Sequence, residues 1–216
     1  MKKFDGIIFD IDATLTSTND LIFASFNHVS EKYLNRRFTF EEIAAMFGPT
    51  EDGILTDLMG ENFNAARKDY FEFYSGMHEE LADIYEGIKD ILEMIKKENI
   101  LLSVYTGKGR KSSLITLVKI GVLEYFDMIV TGDDVKNPKP SPEGIDVFVE
   151  KFNLERNRVL MVGDSPADIK AARHAGVKNA EVLWDEYAKQ RSHDLKSDFV
   201  FHTVKELDEF IKKNIS

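Results

Sequence analysis

The 216-residue chain contains no cysteine. Disulfides, thiolate zinc sites and a cysteine nucleophile are therefore excluded, and any metal must be held by oxygen or histidine. No apolar run approaches the roughly 20 residues needed to span a bilayer. The amino-terminal Met1-Lys2-Lys3-Phe4-Asp5 also lacks the apolar stretch of a signal peptide, so a soluble, cytoplasmic protein is expected. Positive charge is in deficit: 28 Lys and Arg stand against 38 Asp and Glu, a formal net charge of −10. Nucleic acids and anionic membranes are bound largely by neutralising phosphates, so neither is expected as a partner. A small anionic substrate needs positive charge only locally, which directs attention to individual lysines near carboxylates. Internal repeats and low-complexity segments are absent too, and the length suits one domain with a smaller insert.

What is present is concentrated near the start. Residues 4–16 read Phe-Asp-Gly-Ile-Ile-Phe-Asp-Ile-Asp-Ala-Thr-Leu-Thr, a short apolar run that ends in Asp10 and Asp12, with Thr14 following. A run this short reads as a buried strand of a parallel sheet. Asp10 then lies at its carboxyl end, where open α/β sheets bind ligands. One carboxylate there is ordinary solubilising polarity. Two at i and i+2, with a hydroxyl at i+4, suit a hard cation such as Mg2+ together with a covalent nucleophile.

Beyond the polar residues 16–20 the period changes to that of a helix, with Leu21, Phe23, Ala24, Phe26, Val29, Tyr33 and Leu34. Thr39 and Glu42 form a capping-box pattern for a second helix, ended by Gly48 and Pro49. Further helices are predicted over residues 51–59 and 62–78, and no strand between about 17 and 82. A crossover takes a dozen or so residues, so this excursion predicts an inserted all-helical subdomain over 17–82 and a core of 1–16 and 83–216. Phe40, Phe47, Phe63, Phe71 and Phe73 are expected to form the small core of the insert. The crossings at 16–20 and 80–86 are the expected hinges.

The sheet pattern resumes with a helix over 87–97 and a strand over 100–105 that runs into Thr106-Gly107-Lys108-Gly109-Arg110. A helix carrying Leu114, Leu117, Val118 and Ile120 follows, then a strand over 126–130. The prolines of residues 136–142 keep that connection out of helical conformation, with Ser141 as the expected cap of the next helix and Pro142 in its first position. A strand over 158–162 ends in Gly163-Asp164-Ser165-Pro166-Ala167-Asp168; strands over 180–184 and 198–201 and a helix from Val204 complete the chain. Alternating apolar strands and amphipathic helices predict an α/β fold with a doubly wound parallel, Rossmann-like sheet.

Three strand ends thus carry polar clusters, and phosphoryl transfer requires what they contain: a cation, donors for the non-bridging oxygens and an in-line nucleophile. In this reading Asp10 attacks phosphorus and Asp164 shares its Mg2+. Asp12 protonates the leaving alcohol and then activates water. Thr106 and Lys139 hold phosphoryl oxygens, with Gly107 and Lys108 also expected to bind the substrate or phosphate. Lys139 is preferred to Lys136 because flanking prolines fix its backbone. Lys108 has the alternative of simply solvating its loop. Asp168, with Thr14 and Ser165, is expected to support the metal ligands from behind, or to be a first-turn acid favoured by the helix dipole. His174 is expected to face a neighbouring element rather than a metal, and His28 and His78 have no partner at ligand spacing.

In these residues the chain resembles the haloacid dehalogenase superfamily. Asp10-Ile11-Asp12-Ala13-Thr14-Leu15 looks like its first motif, Thr106 its second, Lys139 its third, and Gly163-Asp164-Ser165 with Asp168 its fourth. The insert resembles the helical cap of phosphoglycolate-phosphatase-like members, whose cap loops make Gly48-Pro49-Thr50 the part expected to reach the site. The resemblance implies a Mg2+-dependent phosphatase acting on a small phosphorylated metabolite, with Asp12 offering the metal its backbone carbonyl. Dehalogenases and phosphonate-cleaving members lack an acid at the position of Asp12. A sugar-phosphate mutase is the competing enzyme, and a catalytically weak phosphate-binding or regulatory protein the competing class. Phosphoglycolate, a sugar phosphate, a nucleotide and pyrophosphate all fit the motifs. The chain departs from the pattern at Ala13, where glycine is usual, and at Ser17, where an acid is common. Alanine does not easily take positive φ, so a turn that demands it is strained.

Overall fold

The computed structural model describes residues 2–186 and 195–215. The chain runs from strand β1 (Gly6–Phe9) through a short strand β2 (Thr16–Ser17) into four helices, α1 (Asn19–Leu34), α2 (Phe40–Ala44), α3 (Glu51–Met59) and α4 (Phe63–Leu81). It returns through β3 (Asp83–Ile84), then α5 (Ile88–Lys97), β4 (Leu101–Tyr105), α6 (Arg110–Lys119) and β5 (Met128–Val130). Helix α7 (Glu143–Lys151), β6 (Val159–Gly163), α8 (Pro166–Ala175), β7 (Lys178–Val182), β8 (Phe199–Phe201) and a last helix α9 (Val204–Ile215) follow.

Six strands form one sheet in the order β5-β4-β1-β6-β7-β8, and every pairing in it is parallel. Side chains alternate between its faces. Ile7 and Phe9 of β1, Leu102 and Val104 of β4, and Leu160 and Val162 of β6 pack with α5 and α9. Ile8, Val159 and Met161 pack on the other face, with Ile145 and Phe148 of α7 and Ala171 and Ala172 of α8. Burial on both faces explains why these strands read as continuous apolar runs. No described helix is long and apolar enough to cross a membrane.

The four helices between β2 and β3 bury a separate cluster that includes Phe26, Ile43, Leu55, Tyr70 and Tyr74. Phe71 joins it, but Phe40, Phe63 and Phe73 are half-buried and Phe47 is 39% exposed, so the aromatic centre is Tyr70, Tyr74 and Phe26 instead. The expected capping box is formed: Glu42 N donates to Thr39 Oγ1 and Thr39 N to Glu42 Oε2, at 3.3 and 2.8 Å. Both crossings into the helices pair with each other, Thr16 opposite Ile84 and Ser17 opposite Asp83 in an antiparallel ribbon. Strand structure therefore reaches Ser17, one residue into the stretch expected to be helical throughout.

Two local features depart from simple sequence rules. Val118 is 59% exposed while Ser112, Ser113 and Thr116 are buried, because that side of α6 packs on α4 and meets polar partners there. The Tyr74 hydroxyl lies 2.7 Å from Thr116 Oγ1. Helix α7 begins at Glu143 with Pro142 as its N-cap residue, one position later than expected; the Ser141 hydroxyl still accepts from Glu143 N at 3.3 Å.

Candidate active site

Because the sheet is parallel, the ends of β4, β1 and β6 are adjacent and face the same way. They bring together Thr106, Asp10 and Asp164. Asp10 continues the ladder, its N–H donating to Val162 O at 2.9 Å, so its carboxylate is positioned by the sheet itself. That carboxylate is buried, with Lys139 Nζ 3.1 Å from Oδ1. The ammonium is close enough to pair by charge, yet Oδ1 has no well-directed hydrogen bond. Lys139, adjoining a cis Lys139–Pro140 bond, also donates to Asp168 Oδ1.

Asp168 is fully occupied. Its Oδ2 accepts from Ser165 N and Ser165 Oγ at 3.0 and 2.7 Å, the capping box of α8. A side chain on Gly163 would place its Cβ 2.3 Å from Asp168 Cγ, so glycine is required for this close approach. The Thr14 hydroxyl donates to Asp164 Oδ1 at 3.4 Å. Asp168, Ser165 and Thr14 thus stand around Asp10 and Asp164.

Burial pushes the Asp10 carboxyl up to about 6, against the pull of Lys139 and with further upward pressure from Asp168 and Asp12. Burial drives Asp164 well above the usual carboxylate range, and Asp168 and Asp10 add to it. On Lys139 burial acts the other way but is outweighed by Asp10 and Asp168, which hold it above its ordinary value. One lysine therefore does not balance the three acids.

A divalent cation fits that imbalance. Oxygens of Asp10, Asp164 and Asp168 lie within 4.8 Å of one another. Those of Asp168 are already engaged, which leaves Asp10 and Asp164 as the side-chain ligands. An all-carboxylate donor set selects a hard cation of the Mg2+ type.

Asp12 is directed elsewhere. Its Oδ1 accepts from the Thr18 hydroxyl, and Lys108 Nζ lies 3.4 Å from Oδ2. Around and just past Asp12 the backbone turns sharply, Leu15 N donating to Ile11 O at 2.8 Å and Ala13 N to Thr16 O at 2.9 Å. Ala13 takes φ +60° there, so the turn does demand the left-handed region and alanine bears the strain.

Lys108 is placed in the cavity wall, but as a bridge. Its side chain is 1% exposed, and Nζ also lies 3.3 Å from Glu51 Oε1. Glu51 belongs to α3 of the insert; its Oε2 accepts from Gly109 N at 2.7 Å and its Oε1 from Ser112 Oγ at 2.5 Å. Burial would raise the Glu51 carboxyl, but Lys108, Ser112 and the backbone donors leave it below the usual range. Lys108 is likewise held well above its ordinary value against burial, by Asp12, Tyr74 and Glu51. A Cβ on Gly109 would come 2.7 Å from Glu51 Oε2, so the missing side chain makes room for this contact.

Sequence reasoning missed Glu51 and Thr18. Glu51 looks like an ordinary first-turn acid and Thr18 like an ordinary N-cap, although the Thr18 side chain makes no capping hydrogen bond. The other titratable candidates lie on separate contacts: His174 Nδ1 is 3.0 Å from Pro140 O, His78 Nε2 is 3.2 Å from Thr116 Oγ1, and His28 stacks on Phe73.

These groups open into a cavity of about 340 Å³ bounded by the strand ends on one side and the insert on the other. Thr106, Gly107, Lys108, Lys139, Ser165 and the acids Asp10, Asp12 and Asp164 line it, and Gly48 and Pro49 reach it as expected. Thr50 sits against Gly132 just outside.

Comparison with known proteins agrees with this geometry. The chain is 31% identical over 206 residues to the pyrophosphatase PpaX of Bacillus velezensis, covering 95% of each chain. Its fold matches a predicted phosphoglycolate phosphatase of Haemophilus somnus with a TM-score of 0.85 at 22% identity, covering 97% of this chain and 99% of that one. It matches CbbY of Rhodobacter sphaeroides, solved with phosphate, with a TM-score of 0.83 at 20% identity over 94% and 96% of the two chains. Residues 7–182 fit the profile of the haloacid dehalogenase-like hydrolases, and with the acids, the lysine and the sheet order all in place, the chain belongs to that family.

Proposed function

We propose that the protein is a Mg2+-dependent phosphatase that hydrolyses a small phosphomonoester through an aspartyl-phosphate on Asp10. The observation that carries this reading is the convergence of Asp10, Asp164 and Lys139 around one buried site, with Asp12 held separately at its edge. Bound at Asp10 and Asp164, the cation would offset the buried negative charge and withdraw electrons from the phosphoryl oxygens.

Asp10 Oδ forms the new bond to phosphorus as the bond to the leaving oxygen breaks, and Asp12 gives that oxygen its proton. Asp12 then takes a proton from water as the water oxygen attacks the same phosphorus. Phosphate departs and the Asp10 carboxylate is restored. Lys139 and the Thr106 hydroxyl face the non-bridging oxygens, where charge grows in the transition state. Residues 17–82 act as a cap over a core of 1–16 and 83–216, flexing at the ribbon of β2 and β3 to admit substrate and exclude water. The names of the relatives, a pyrophosphatase and a predicted phosphoglycolate phosphatase, support a small phosphorylated substrate.

The test is phosphate release from a panel of phosphomonoesters with Mg2+ and with chelator. Release should require the metal and fall at least about a thousandfold in Asp10→Asn. Normal turnover by that variant would refute the nucleophile assignment. Isomerisation without free phosphate would identify a mutase instead, and phosphate binding without turnover the regulatory class.

A further inference from the structure

The two ends of the cavity differ in charge. At the strand ends, Lys139 stands with Asp10 and Asp168. The insert contributes Ile22, Phe26, Phe47, Pro49 and Ile54, an apolar wall, and only two polar side chains, Asn19 and Glu51. Among the described residues Lys139 and Lys108 are the cations lining the cavity.

Lys108 is already spent on two carboxylates, Asp12 at 3.4 Å and Glu51 at 3.3 Å. Glu51 alone offsets Lys108, so this end has no positive charge to spare whether or not Asp12 holds its proton. Other cations nearby are bound outside the lining, Arg67 to Asp52 and Arg110 to Asp134. A carboxylate or second phosphate on the leaving group would meet an apolar wall and Glu51. To reach Lys108 it would have to displace Glu51, which would then be buried without its counter-charge.

We infer that the leaving group is uncharged and presents an apolar face, and that substrates bearing a second anion distal to the phosphoryl group are disfavoured. This rests on the phosphatase reading for the position of the phosphoryl group, and it sets this chain apart from relatives named for pyrophosphate or phosphoglycolate.

The test is made on two levels. Binding of non-hydrolysable phosphonates to the wild-type protein is measured by titration calorimetry at fixed Mg2+, comparing butylphosphonate and benzylphosphonate with 3-phosphonopropionate, which has a carboxylate at its tail. The uncharged tails should bind about tenfold or more tighter. Turnover of phenyl phosphate and butyl phosphate should exceed that of phosphoglycolate and pyrophosphate by a similar factor in kcat/KM. Ile54→Lys, which places a cation in the apolar wall, should bring 3-phosphonopropionate to within a few-fold of butylphosphonate.

Equal or tighter wild-type binding of 3-phosphonopropionate overturns the inference, as does failure to bind any phosphonate. The expected binding order without hydrolysis of any ester leaves the selectivity standing and removes the phosphatase reading.

Discussion

Lys108→Met is the most informative single substitution, because it removes a charge while keeping most of the volume of a side chain that is 1% exposed. Taking one partner from a buried ion pair costs about 3–5 kcal/mol. Two features favour the lower end. Glu51 keeps the Gly109 N–H and the Ser112 hydroxyl, and the Asp12 side chain is 25% exposed and so partly solvated. A loss of about 3 kcal/mol is expected, which for a chain of this size lowers Tm by about 6–12 °C. Denaturant and thermal unfolding measure it, and a double-mutant cycle with Glu51→Gln isolates the pair, with a coupling of about 1 kcal/mol or more expected. Acid gives a second signature. The folded Glu51 carboxyl lies below its ordinary 4.5, so its stabilisation is complete above 4.5 and is lost as pH falls through the lower folded value. Glu51→Gln should remove that part of the acid dependence. A Lys108→Met protein within about 2 °C of wild type, with additive effects in the cycle, would refute the claim that this bridge ties the insert to the strand ends.

Ala13 is strained by its positive φ, at about 1–2 kcal/mol. Ala13→Gly relieves this but adds glycine's entropy, about 0.5–1 kcal/mol, and loses a buried methyl, about 0.8 kcal/mol, so the net change should stay within about 0.5 kcal/mol. Ala13→Val should cost about 2 kcal/mol or more in urea unfolding. His78 is depressed below its ordinary 6.5 by burial and then by Lys108 and Lys119. Its contribution to stability is therefore full above 6.5 and is lost as pH falls toward the lower folded value. His78→Gln should flatten stability measured between pH 7 and 5, at about 1 kcal/mol for the altered contact with Thr116. Val118→Lys should leave unfolding within about 0.5 kcal/mol of wild type, since the side chain is 59% exposed.

Much of the site was legible because its carboxylates end apolar runs, and a parallel sheet aligns such ends without long-range information. Asp10 and Asp164 needed only the strand assignments, and Lys139 only the prolines beside it. The left-handed turn at Ala13 was legible as a departure from a glycine pattern. Glu51 was not, because its partners Gly109 and Ser112 lie 58 and 61 positions away and a glutamate starting a helix already has a local explanation in the helix dipole. Thr18 was hidden likewise behind its resemblance to a cap. The buried face of α6 was not legible either, because helical period identifies an inward face only when that face is apolar. The buried side of α6 meets Tyr74 and His78 with Ser and Thr, so the hydrophobic pattern pointed away from the true contact.

The ribbon that carries the chain into and out of the helices makes length a property shared by both arms. Thr16 Oγ1 donates to Asp83 O at 2.6 Å and Tyr85 N to Leu15 O at 3.1 Å. One extra residue in the outgoing arm would slide Thr16 past Ile84 and carry with it, two positions on, the hydroxyl that grips Asp12. A matching extra residue in the returning arm would bring the rungs back into line. Paired insertions should therefore be tolerated and single ones harmful, each arm acting as the ruler for the other.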